Sequence, residues 1–95
     1  MNIDMKYVTN KLTEILETPS PSGDTKVVID MIQNEFKNMD IKTYITKKGA
    51  LVATIKGESD ENQRTLSAHV DTLGAMVKEV KGNGRLKLTQ LGGYM

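Results

Sequence analysis

The sequence predicts an α/β fold in which two helices pack on a mixed sheet. Two N-terminal segments repeat apolar residues at helical spacing, and the later segments alternate or run apolar in the manner of strands. The third of those strands ends on the only histidine of the chain, at the strand end where open α/β sheets build their sites. Ninety-five residues permit one small domain with a modest core.

Residues 4–17 read as an amphipathic helix. Val8, Leu12, Ile15 and Leu16 fall at i, i+4, i+7 and i+8, Met5 lies one turn earlier, and Asp4 is the expected N-cap. Residues 18–23, Thr-Pro-Ser-Pro-Ser-Gly, form a loop, because each proline pushes its predecessor out of the α region. A second helix is expected over 24–38, with Val28, Ile32, Glu35, Phe36 and Met39 along one side and Asp24 in its first turn. Residues 40–46 alternate as a strand. Lys47, Lys48 and Gly49 make a turn, and 50–56 is a strand whose near-continuous apolar run predicts burial on both faces. Residues 57–63 are a polar loop, 64–69 the third strand, and 74–80 with 85–91 a hairpin joined by Lys81-Gly82-Asn83-Gly84.

Composition narrows the function classes. Acidic and basic residues nearly cancel, at a formal net charge of +1, so no dense basic patch marks a nucleic-acid partner. The absence of cysteine excludes a disulfide framework and a thiolate metal site. The N-terminus lacks the apolar core of a signal peptide or membrane span, and a cytoplasmic location with no membrane partner is expected. The C-terminal run 88–95 ends after a strand pattern and a glycine pair, with no closing helix. That pattern reads as the N-terminal piece of a longer protein.

The segment Leu66-Ser67-Ala68-His69-Val70-Asp71-Thr72-Leu73-Gly74 carries the chemistry. In extended chain His69 and Asp71 point the same way. A neutral imidazole can then bind a metal through one nitrogen while its other N–H donates to the carboxylate. On spacing alone a partly buried structural histidine is the commoner case, and metal ligation is the alternative. A catalytic zinc takes about three protein ligands, and no second histidine or cysteine is present to complete the set. Gly74 marks a bend or a close backbone approach.

These features together resemble the M42 family of metallo-aminopeptidases, which includes glutamyl and deblocking aminopeptidases and some members labelled cellulases or endoglucanases. Residues 18–23 resemble the family's Pro-Ser-Gly loop, Lys48-Gly49-Ala50-Leu51-Val52-Ala53 its Gly-Asn-Leu segment, and Ala68-His69-Val70-Asp71 its metal-binding Ala-His-x-Asp. Gly74-Ala75-Met76-Val77-Lys78, Gly84-Arg85-Leu86 and Leu91-Gly92-Gly93 follow in matching order and spacing.

The resemblance implies a three-layer αβα domain of the zinc-peptidase kind. Residues 1–72 would open the catalytic domain, and 73–95 would lead through the hairpin toward an inserted β domain. It implies His69 as ligand to one ion of a two-metal centre, zinc or cobalt, and Asp71 as the carboxylate that orients it. The general base and remaining ligands lie downstream in the family, so no catalytic residue is expected within this chain and the chain alone is expected to be inactive. The implied partners are a peptide substrate and further copies of the subunit. Thr72 and Ala50 depart from residues common in the family, Glu and Asn, and leave residue preference open. Pro19, Pro21 and Gly23 read as loop formers only. Two other readings stand beside this one: a related metallohydrolase cutting an N-acyl amide or carrying the glucanase label, and a non-enzymatic α/β module used for binding or assembly. No carboxylate pair with an aromatic platform supports a sugar groove.

Overall fold

The structure, a computed structural model, describes residues 1–93; Tyr94 and Met95, the end of the expected 73–95 segment, lie outside the described residues. It is a mixed α/β arrangement of two helices and two small antiparallel sheets.

Helix α1 spans Met5–Glu17, and Asp4 caps it as expected: its carboxylate accepts the Tyr7 N–H at 3.0 Å. Helix α2 spans Lys26–Asn38. It starts later than the sequence suggested, because the Asp24 N–H is bonded to the Pro21 carbonyl in a turn at 2.8 Å. Asp24 therefore precedes the Thr25 cap, and no acid occupies the first turn. At the other end Asp40 takes a left-handed φ of 58°. The Ile41 N–H then reaches the Phe36 carbonyl and the Asp40 N–H that of Lys37, a Schellman closure built without glycine. That closure occupies residues 40 and 41, and strand β1 is confined to Thr43–Ile45 rather than 40–46.

Strand β2, Leu51–Ala53, pairs antiparallel with β1, placing Thr43 opposite Ala53 and Ile45 opposite Leu51. It is shorter than the expected 50–56 and half-buried rather than covered on both faces. β3, Gly74–Val80, and β4, Leu86–Leu91, form the expected hairpin, with a bulge between Val77 and Glu79. Gly84, at φ 80°, supplies the left-handed turn residue. Residues 64–69 form no strand. A strand exists only with a partner to complete its ladder, and among the described residues β2 is hydrogen-bonded to β1 alone. The pairs β1–β2 and β3–β4 thus remain separate sheets among the described residues, and His69 stands on unpaired extended chain rather than at a strand end.

The core is small. Val28 and Ile29 of α2 are its buried hydrophobics, with Ser20 fully buried beside them in rank. The helices are tied by a polar knot: Glu35 accepts from the Tyr7 hydroxyl at 2.7 Å and pairs with Lys11 at 2.9 Å, and Lys11 also reaches Glu14. Beside it an apolar groove is lined by Ile15, Met31, Ile32 and Phe36. α1 buries no residue, and Leu12 and Leu16 of its expected core stripe are more than half exposed. The radius of gyration is 17.9 Å, against about 12 Å for a closed domain of this length. The accessible surface is 8817 Å², against about 5,400 Å² for a folded monomer of this mass. The helices and sheets are in place and α2 lies against β1 and β2, but much of their apolar surface stays open.

Candidate metal site

The site is built where two distant loops meet. Residues 20–22 lie alongside 70–72, joined by a parallel bridge between Pro21 and Thr72. The Thr72 N–H donates to the Ser20 carbonyl at 2.8 Å, and the buried Ser20 hydroxyl donates to the Val70 carbonyl at 2.6 Å. The backbone is therefore held on both sides of Asp71. Gly74 makes this contact possible: a Cβ there would lie 2.6 Å from the Pro21 Cβ. The close approach expected of this glycine is to Pro21.

His69 and Asp71 point the same way, as the i, i+2 spacing required. The His69 Nδ1 lies 2.8 Å from Asp71 Oδ1 and 3.3 Å from the Asp71 carbonyl. Both oxygens accept, so in the neutral ring Nδ1 carries the hydrogen and Nε2 keeps its lone pair. The imidazole is 85% exposed, which leaves Nε2 open to an incoming ligand. The other carboxylate oxygen of Asp71 accepts from the Ser22 hydroxyl at 2.6 Å. Donation from Ser22 first, and from His69 second, holds the Asp71 carboxyl below its usual range.

A ring nitrogen with a free lone pair, oriented by a carboxylate on its other side, is the donor arrangement that a borderline cation such as zinc takes. The fit extends to one ligand. Among the described residues no cluster of three or more His, Asp or Glu side chains could hold a metal ion. The sequence identified His69 and Asp71 and missed Ser20 and Ser22. Their only signal was polarity within a loop whose prolines and glycine already explained it; the partners lie 49 and 50 residues away, beyond local pattern.

The M42 glutamyl aminopeptidase family profile matches residues 49–95, which include both the His69–Asp71 pair and the hairpin. The chain is 46% identical over 83 residues to "Putative aminopeptidase YhfE" of Bacillus subtilis. It is 28% identical over 85 residues to a lysyl aminopeptidase of Pyrococcus furiosus. These alignments cover 87% and 88% of the chain but 24% of each relative, so the chain spans about a quarter of the length of the curated relatives it matches. Profile and relatives agree: residues 49–95 match the M42 glutamyl aminopeptidase family, and the chain is similar to two curated aminopeptidases over most of its own length. No helix among the described residues is long and apolar enough to cross a membrane.

Proposed function

We propose that this chain supplies the first metal ligand of a cytoplasmic, oligomeric M42 aminopeptidase that releases N-terminal residues from peptides. The observation that carries the reading is the His69–Asp71 pair, which presents Nε2 outward within a family-matched segment. His69 is the ligand and Asp71 the carboxylate that fixes its tautomer and raises its basicity. When bound, a pair of divalent cations, zinc or cobalt, supplies the Lewis acidity that activates water and polarises the scissile carbonyl. The residues of this chain hold and orient; the general base and the other ligands belong to sequence beyond this quarter of the relatives' length. The catalytic-domain opening over 1–72 and the hairpin path toward an inserted domain over 73–95 are part of the same proposal.

The test is cobalt or zinc titration, with turnover of aminoacyl-nitroanilides, on the full-length protein. His69→Ala is expected to lose most metal-dependent activity. Asp71→Asn is expected to weaken metal binding by ~10–100-fold, and by less than His69→Ala. Wild-type affinity and turnover in His69→Ala would remove His69 from the site.

A further inference from the structure

We propose that Ser22 is a positioning residue for the metal ligand, acting through Asp71; the proposal rests on the reading of His69 as that ligand. The carboxylate of Asp71 is shared between two donors. Oδ1 takes the His69 ring at 2.8 Å and Oδ2 takes the Ser22 hydroxyl at 2.6 Å. Asp71 is 42% exposed, so without a second anchor the carboxylate is free to rotate about its terminal torsion, which is broad and roughly two-fold. Rotation would carry Oδ1 away from Nδ1 and release the ring. The Ser22 hydroxyl pins the far oxygen and fixes the plane of the carboxylate, and with it the direction of Nε2.

Ser22 can do this because its own loop is fastened to the same segment. The buried Ser20 hydroxyl is bonded to the Val70 carbonyl, and the Ser20 carbonyl to the Thr72 N–H, one residue to either side of Asp71. Side chain and backbone of the 20–22 loop therefore grip residues 70–72 at three points. Of these, only the Ser22 bond acts on the carboxylate itself. The Pro-Ser-Pro-Ser loop, read from sequence as a connector, is the outer wall of the histidine–carboxylate pair.

The experiment reads the ring directly. His69 is the only histidine, so ¹⁵N-histidine labelling gives one pair of ring signals in the metal-free 95-residue chain, in solution or in a sedimented sample. At a pH where the ring is neutral, the wild-type chain is expected to hold the Nδ1–H tautomer, against the preference of an isolated histidine for Nε2–H. Ser22→Ala is expected to move the population toward Nε2–H, and Ser22→Thr, which keeps the hydroxyl, to restore it. In the full-length protein Ser22→Ala is expected to weaken cobalt binding by about 3–10-fold, below the roughly 10–100-fold typical of a ligand's direct partner, with Ser22→Thr again restoring it. A wild-type ring already in the Nε2–H form, or a tautomer ratio indifferent to Ser22→Ala, overturns the proposal. So does a shifted ring with unchanged cobalt affinity. Failure of the metal reading itself is distinguishable, because it shows as wild-type cobalt affinity in His69→Ala whatever the ring signals do.

Discussion

Gly74→Ala tests the clasp between residues 20–22 and 70–72 most severely. The backbone at Gly74 is not in the left-handed region, so alanine is locally tolerable and the effect must come from packing. The added Cβ would sit 2.6 Å from the Pro21 Cβ, whereas carbon pairs rest at about 3.5 Å or more. Pro21 is a rigid ring, so relief requires a displacement of about 0.9 Å between the two segments. The bonds that join them are 2.6 and 2.8 Å long. Lengthened by that amount they reach about 3.5–3.7 Å, beyond the range of a hydrogen bond. Either the collision remains, at the ~1–3 kcal/mol typical of overpacking, or the Ser20 bonds open at about 0.5–1.5 kcal/mol each. Amide hydrogen exchange at Thr72, whose N–H donates to Ser20, should accelerate, and the His69 ring should loosen with it. Unchanged Thr72 protection in Gly74→Ala would refute the account of this glycine and of the clasp.

The remaining predictions concern the chain as a whole. It exposes roughly 3,400 Å² more than a closed monomer of its mass, an area on the scale of obligate interfaces. Light scattering should therefore show a dimer or larger species, and a concentration-independent, well-protected monomer would contradict this. No turnover of aminoacyl-nitroanilides is expected from the purified 95-residue chain with zinc or cobalt added, since the proposed function assigns it one ligand and no base. Lys11 foremost, then Tyr7, holds the Glu35 carboxyl below its usual range. Glu35 therefore contributes fully above the ordinary glutamate range, and that contribution is lost as pH falls through the depressed value. Amide protection in α1 should fall in acid accordingly, and Glu35→Gln should flatten that dependence. Asp40→Gly should add about 0.5 kcal/mol of stability, read as a higher denaturation midpoint, because it relieves a left-handed φ at a cost in unfolded-state entropy.

What was legible in the sequence is what depends on near neighbours. The Asp4 cap, both helices, the 81–84 turn with its flanking strands, and the shared direction of His69 and Asp71 all follow from residues a few positions apart. The misreadings have physical causes of the same kind. Asp40 ended α2 in a conformation that glycine usually supplies, so the strand reading began too early. Residues 64–69 have strand composition, yet composition supplies no partner for their N–H and C=O groups. α1 has a well-formed apolar stripe, but a stripe states a demand for cover and does not say what meets it.

The site divides along the same line. A histidine and an aspartate two apart could be recognised because extended chain turns both to one side. Ser22, which completes the environment of that aspartate, stands 49 residues earlier in the chain. The fold, and not the motif, brings them together. The pairing requires the 20–22 loop to come within van der Waals reach of position 74, and only a residue without a side chain leaves room for that. Gly74 therefore belongs to the support of the proposed metal ligand as a consequence of packing: it admits Pro21, Pro21 brings Ser20 and Ser22, and the Ser22 hydroxyl holds the Asp71 carboxylate that accepts from the ring. A chain of contacts of this kind makes a single testable claim. A perturbation at its far end, Gly74→Ala, must reach the His69 ring, whereas the same substitution at Gly82, where a Cβ meets nothing, must not.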